Sequence, residues 1–414
     1  MPRVLLLLPT STYRAPDFMD AAQRLGVEVV VGSEAEQAMA ADMGDRAVVV
    51  PMDDPKAGAD AVVALHERSP IDAVVAVDDR GVEVAAIAGE RLGLTHTDPQ
   101  AVAATRDKSL MRELLMGTAV RQPAFAIART GDDVPRKAAA VGYPIVVKPT
   151  TLSGSRGVIR ADDETAARDA AQRIRAFYDG PILVEEYVPG VEVAVEALAR
   201  GPDGFDVLAV FDKPDPLIGP YFEETIYVTP SRLPDEVVTR VSHFTALAAR
   251  AIGIVEGPVH AELRIDGSRV WLIEIAARSI GGLCSRTLRF GAGIALEELI
   301  LRHALGMQVE PAERELDATG VMMLPIPDAG VLQEVRGREA ALAVPGITGL
   351  EITVLRGRAV QPLPEGDRYL GFLFAKAATP AEVEQALRTA HAELDVVLAP
   401  TSPSPSSSPT PSSS

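Results

Sequence analysis

A chain of 414 residues is too long for one compact core and calls for two or three domains. Its hydrophobic fraction of 47% fits a soluble globular protein, and no segment approaches the ~20 apolar residues that a membrane span needs. The formal net charge of −18 argues against general nucleic-acid binding, which rests on clustered Lys and Arg neutralising phosphates. Cys284 is the only cysteine, which excludes an internal disulfide and a cysteine metal cage and leaves packing as its expected role. The apolar run Val4 to Leu8 is short and closed by Pro9, so it reads as a buried strand rather than a leader, and a cytoplasmic location is expected.

The first hundred residues alternate two kinds of segment. Short Val, Leu and Ile runs lie at Arg3 to Leu8, Val27 to Val31, Ala47 to Val50 and Ile71 to Val77. Ala-rich amphipathic stretches lie at Asp17 to Leu25, Glu34 to Ala40, Lys56 to Arg68 and Gly81 to Leu92. Strands that are apolar throughout are buried on both faces, and intervening helices imply a doubly wound parallel α/β sheet, expected over residues 1–105. No G-x-G-x-x-G follows the first strand, so a dinucleotide site there has no support.

Residues 106–305 change character. Ile145 to Lys148, Val158 to Arg160, Ile182 to Tyr187, Val191 to Ala199 and Phe205 to Phe211 read as strands too closely spaced for βαβ crossovers. One long helix, Glu164 to Tyr178, is expected among them, giving an α+β layout. Residues 306–400 mix short strands such as Leu350 to Val354 with a helix at Ala381 to Leu394, a small α+β domain whose chemistry is not readable. Thr401 to Ser414 holds only Ser, Thr and Pro, has nothing to bury, and is expected to be disordered.

Ile145 to Pro149 is an apolar strand carrying Lys148, and Ser153-Gly154-Ser155-Arg156-Gly157 follows it. Small residues let backbone N–H groups approach an anion, and Lys148 would add a compensating charge. An ordinary surface hairpin explains this segment equally well. Further on, Ile182 to Glu192 is a strand, a Pro-Gly break and another strand, a hinge able to read an adenine edge. Glu192 is spaced to accept ribose hydroxyls, while a solvated acidic turn is the plainer reading.

Val259 to Ile275 carries the sharpest local signal. Ala261, Leu263, Ile265, Trp271, Ile273 and Ile275 alternate about the turn signal Asp266-Gly267-Ser268. If all six face one core, a three-residue loop follows, with Ile265 opposite Arg269 and Glu262 opposite Leu272. Glu262 and Glu274 then become diagonal neighbours on the polar face, within roughly 8 Å. Two carboxylates so placed repel unless a cation lies between them, and oxygen ligands beside phosphates suit Mg²⁺. His260 on that face is expected to be a hydrogen-bonding neighbour and not a ligand.

Taken in order, Asp107-Lys108, Val147-Lys148-Pro149, the Ser153 to Gly157 loop and Glu185-Glu186-Tyr187-Val188-Pro189-Gly190-Val191-Glu192 resemble the ATP-grasp superfamily, over Met1 to about Gly306. The resemblance implies a lid at about residues 120–190, and ATP and Mg²⁺ as cofactors. Lys108, Lys148 and the glycine loop would meet phosphates, Glu185 and the Val188 backbone adenine, Glu192 the ribose, and Glu262 and Glu274 the metal. Where the family commonly has a further metal-binding asparagine, this chain has Ala276. Arg278 suits a transferring phosphoryl group, and Gly281 and Gly282 could offer N–H groups to a substrate carboxylate. The run Glu274-Ile-Ala-Ala-Arg278-Ser-Ile-Gly281-Gly282 is similar to L-amino-acid ligases, which implies an ADP-forming carboxylate–amine ligase acting on small molecules, with homodimerisation as the family's habit. Phe211 to Glu224, rich in Pro and charge, reads either as a substrate-facing loop using Lys213 and Glu223 or as a rigid connector. Two alternatives stay open: a biotin-carboxylase-like enzyme, and a catalytically silent ATP-binding regulator.

Overall fold

The computed structural model describes residues 1–36, 44–291, 293–309 and 314–400. The expected helix over Glu34 to Ala40 falls mostly outside these residues, and the Ser/Thr/Pro tail wholly so.

The N-terminal sheet is parallel throughout. Arg3–Leu7 lies between Glu28–Ser33 and Ala73–Ala76, and Ala47–Val49 adds to the outer side of Glu28–Ser33. Leu5, Leu6 and Leu7 are fully buried, as a strand covered by helices on both faces requires. The helix Ala15–Leu25 stops at Gly26, whose left-handed φ of 63° lets its N–H cap the Ala22 and Gln23 carbonyls.

A second unit is a four-stranded antiparallel sheet in the order Phe125–Ala128, Ile182–Glu186, Ile145–Pro149, Ile159–Ala161. Two helices back it, Glu164–Arg175 as expected and Val134–Val141, which sequence reading missed. Asp163 caps the first by accepting from Ala166 N, and Ala167, Ala170, Ala171 and Ile174 recur at helical spacing to fill the core.

The largest sheet has eight antiparallel strands. Its edge is the hairpin Glu256–Asp266 and Arg269–Ala276, followed by Val191–Arg200, Phe205–Asp212 and Ile226–Thr229. Ala318–Leu324, Gly371–Ala377 and Ile347–Ile352 continue the same sheet. The 18-residue helix Asp235–Ile252 packs on it through Val241, Ala248 and Ile252. That helix was not anticipated, although its apolar residues repeat at three and four.

The hairpin corrects the expected register. Asp266 pairs with Arg269 across a two-residue turn, Ile265 with Val270, and Leu263 with Leu272. A bulge then intervenes, and Glu262 stands directly opposite Glu274. Val270 and Leu272 join the core where Trp271 and Ile273 were expected, while Ile275 returns to it beyond the bulge. One bulged residue plus a two-residue turn has the same parity as a three-residue turn, so the two glutamates keep a common face.

Candidate active site

Three adjacent strands bring polar residues to one face. In register, Glu192 pairs with Arg264, Ala194 with Glu262, and Glu196 with His260. Glu262 in turn faces Glu274, and His260 faces Ala276. The other face of these strands is apolar core, so the alternation of the pleat, with the bulge that brings Glu274 opposite Glu262, assembles this acidic row. It floors a cleft of about 570 Å³.

The cleft wall includes Lys108, Lys148, Ser153, Gly154, Ser155, Glu185 and Val188 from the upstream motifs. It also includes Glu192, Glu223, Glu262, Glu274, Arg278, Gly281 and Gly282. Two nominated residues lie off the wall. Gly157, at φ 73°, donates its N–H to Pro364 O at 2.8 Å and fixes the loop instead. Lys213 is buried beneath the acidic row, with its ammonium 2.7 Å from Glu192 and 3.6 Å from Glu262, and bonded to Glu224. Burial opposes that charge, yet the three carboxylates hold the lysine well above its ordinary range.

Glu185 is 3% exposed and saturated. Arg112 Nε reaches one carboxylate oxygen at 2.5 Å and Lys148 Nζ the other at 2.6 Å. Burial would raise this carboxyl, but the two cations, Arg112 first, hold it down at about 2. Lys148 is pulled below its ordinary value by burial, against the pull of Glu185. Arg112, fully buried and also bonded to Ile273 O at 2.6 Å, carried no sequence motif. Lys108 donates to Leu152 O at 2.7 Å and lies 3.2 Å from Glu274. Its helix starts on Asp107, whose carboxylate caps Ser109 N at 2.8 Å.

At the hinge, Gly190 is obligatory because a Cβ there would meet Ile265 O at 2.1 Å. That contact seats the Val188–Pro189–Gly190 break against the hairpin. Arg264 locks it further, donating to Glu192 at 2.7 Å and to Val188 O at 2.7 Å. In the phosphate-loop candidate, Gly154 and Ser155 both have left-handed backbones, with φ 64° and 57°. For Ser155 this is a strained conformation at a cleft wall.

Beyond Glu274 the strand ends at Ala276, so Arg278 leaves from the following segment and not from the strand itself. Its guanidinium grips Asp79 at 2.7 and 3.2 Å, and Arg106 adds a contact to the same carboxylate at 3.1 Å. Burial works against Asp79's charge, but Arg278 and Arg106 keep it well below the usual carboxylate range. Glu196, fully buried, accepts from His260 Nδ1 at 2.5 Å and from Ile280 N at 3.0 Å, orienting the segment that carries Gly281 and Gly282. His260 is therefore the hydrogen-bonding neighbour the sequence suggested. Cys284 is 2% exposed and packed in the core, and burial pushes its thiol up.

The donor set fits a hard divalent cation. Glu262 and Glu274 offer only oxygens, lie opposite one another, and hold their cationic neighbours loosely, at 3.2–3.6 Å. Glu192, Glu224 and Glu262 also bring ligand atoms within 4.8 Å, but the Lys213 ammonium already serves that trio.

Residues 141–287 match the ATP-grasp domain family, 19–96 the ATP-grasp N-terminal domain, and 322–399 the L-amino acid ligase C-terminal domain 2. The chain belongs to the ATP-grasp superfamily. This ATP-grasp protein is 26% identical over 264 residues to alanine–anticapsin ligase of Bacillus subtilis, covering 58% of this chain and 55% of that protein. It is 24% identical over 311 residues to an uncharacterized protein of Sinorhizobium fredii, covering 73% and 63%. The chain thus spans less than two thirds of the length of these curated relatives. Its fold is similar to that of the L-amino acid ligase from Bacillus licheniformis, with a TM-score of 0.80 at 25% identity over 96% of this chain and 99% of that one. N5-carboxyaminoimidazole ribonucleotide synthetase from Thermotoga maritima shares the fold at TM-score 0.72 and 17% identity, over 96% and 100%. Among the described residues no helix is long and apolar enough to cross a membrane.

Proposed function

We propose that the chain is an ADP-forming carboxylate–amine ligase that joins two amino-acid-like substrates by an amide bond. The observation that carries this reading is Glu262 directly opposite Glu274, in one cleft with Lys108, Lys148 and Arg278. Similarity to alanine–anticapsin ligase and to an L-amino acid ligase supports the same chemistry.

In this reading ATP lies between the antiparallel lid and the eight-stranded sheet. Lys148, steadied by Glu185, and Lys108 neutralise phosphate oxygens, with the Ser153–Ser155 backbone closing over them. A divalent cation held by Glu262 and Glu274 would offset the charge of the transferring phosphoryl group. The substrate carboxylate attacks the γ-phosphorus, and the bond to the bridging oxygen breaks to release ADP. An amine nitrogen then attacks the acyl carbon and loses a proton, and inorganic phosphate departs. Arg278, held by Asp79, faces the developing phosphate charge. Glu223 lines the cleft with no ion-pair or hydrogen-bond partner among the described residues, and burial raises its carboxyl. In this reading it receives a substrate ammonium. Most of the work is positioning and charge neutralisation, since phosphoryl transfer needs little covalent help.

The test is a screen of amino-acid pairs for phosphate release, with mass detection of products. ADP, phosphate and an amide are expected. AMP with pyrophosphate would remove the acyl-phosphate route.

A further inference from the structure

Past Glu223 the cleft changes character. Phe372 sits between Tyr13 and Tyr369, with ring centroids 5.7 Å and 6.4 Å away. Tyr13 comes from the loop after the first strand of the N-terminal sheet, and the other two from the C-terminal part of the chain. Cys284, Met323 and Ile326 line the same cleft and are 2%, 4% and 4% exposed, so the wall here is apolar and closed. Tyr13 is 38% exposed and forms the outer side.

Apart from Glu223, which the ligase reading gives to the substrate ammonium, the charged groups around this wall are already engaged. Arg14 donates to Val77 O at 2.6 Å and Ser279 Oγ at 2.9 Å, and pairs with Glu297 at 3.4 Å. Arg368 is held by Asp367 at 2.7 and 3.1 Å. Asp78 accepts from Arg80 N at 3.2 Å, and burial pushes its carboxyl toward the neutral form. A charged side chain entering here would be desolvated without a counter-charge, whereas an apolar one would be favoured by its area. The buried Tyr369 hydroxyl has no hydrogen-bond partner among the described residues, which leaves one polar atom of the wall for a ligand.

Resting on the ligase reading above, we propose that Tyr13, Tyr369 and Phe372 form a selectivity pocket for an amino acid with a bulky apolar or aromatic side chain. The pocket excludes charged side chains and binds small ones weakly. No single segment builds it, because the rings come from opposite ends of the sequence.

Calorimetric titration of phenylalanine, leucine, alanine, aspartate and lysine into the full chain with MgADP tests this, run beside the phosphate-release assay. Phenylalanine and leucine are expected to bind on the order of a hundredfold more tightly than alanine, the discrimination an apolar pocket can reach. Aspartate and lysine are expected not to bind. Tyr13→Ala should cut the phenylalanine-to-alanine ratio about tenfold, and Tyr13→Phe should preserve it. Equal binding of all five, binding of none, or an unchanged ratio in Tyr13→Ala overturns the pocket. Selective binding without phosphate release from any pair keeps the pocket and removes the ligase reading. Phosphate release with unselective binding does the reverse.

Discussion

Glu185 shows how sequence reading can name a residue and miss the partners that hold it. Its place beside the Val188–Pro189–Gly190 break was legible from the strand and the Pro-Gly pair. Its bonds to Arg112 and Lys148 were not, because Arg112 lies 73 residues away in sequence and is itself part of no motif, although its helix opens on Asp107-Lys108. The pairing carries a pH signature. The folded carboxyl sits at about 2 against an ordinary 4.5, so the stability it confers is complete above about pH 4.5 and is lost as the pH falls toward 2. Glu185→Gln should flatten that acid limb in melting curves. At neutral pH it should cost about 3–5 kcal/mol, because two buried cations lose their partner. An unchanged acid limb would show that the pair is not formed.

At the scale of elements, hydrophobic alternation identified the hairpin and the common face of Glu262 and Glu274, but miscounted the turn. Alternation fixes parity, and a bulge is invisible to it. The C-terminal segment was opaque for a different reason: its contribution to the lid consists of backbone and scattered polar groups. Glu365 grips Arg173 with both oxygens, at 2.8 and 3.0 Å, and its carbonyl accepts from Arg156 at 3.1 Å. With Gly157 N on Pro364 O, these contacts tie the four-stranded antiparallel unit to the C-terminal part of the chain. The ion pair is partly exposed, so it is worth little to global stability. Glu365→Gln should therefore leave the melting temperature within a degree or two of wild type, by order of magnitude, while accelerating proteolysis within residues 120–190. Unaltered proteolysis would mean that the backbone contacts alone keep the lid closed.

At the scale of the molecule, the N-terminal sheet is part of the catalytic apparatus in this account. Asp79 orients Arg278 from 199 residues away, and nothing in the composition of either segment announces that partnership. The parallel sheet itself was plain from its alternating apolar runs; the reach of its loops into the cleft was not. Asp79→Asn should lower kcat about a hundredfold with nucleotide affinity unchanged, because Arg278 loses its orientation and not its charge. Equal losses in nucleotide affinity would instead mark Asp79 as part of the nucleotide site. The paired glutamates Glu262 and Glu274, as a cation site, are central to the proposed chemistry. The most direct measurement is electron paramagnetic resonance of protein-bound Mn²⁺ with ADP, for the wild type and for the Glu262→Gln/Glu274→Gln variant. A folded variant that has lost Mn²⁺ binding at least about tenfold, as removal of two carboxylate ligands demands, is the predicted result. Undiminished Mn²⁺ binding in that variant would contradict it.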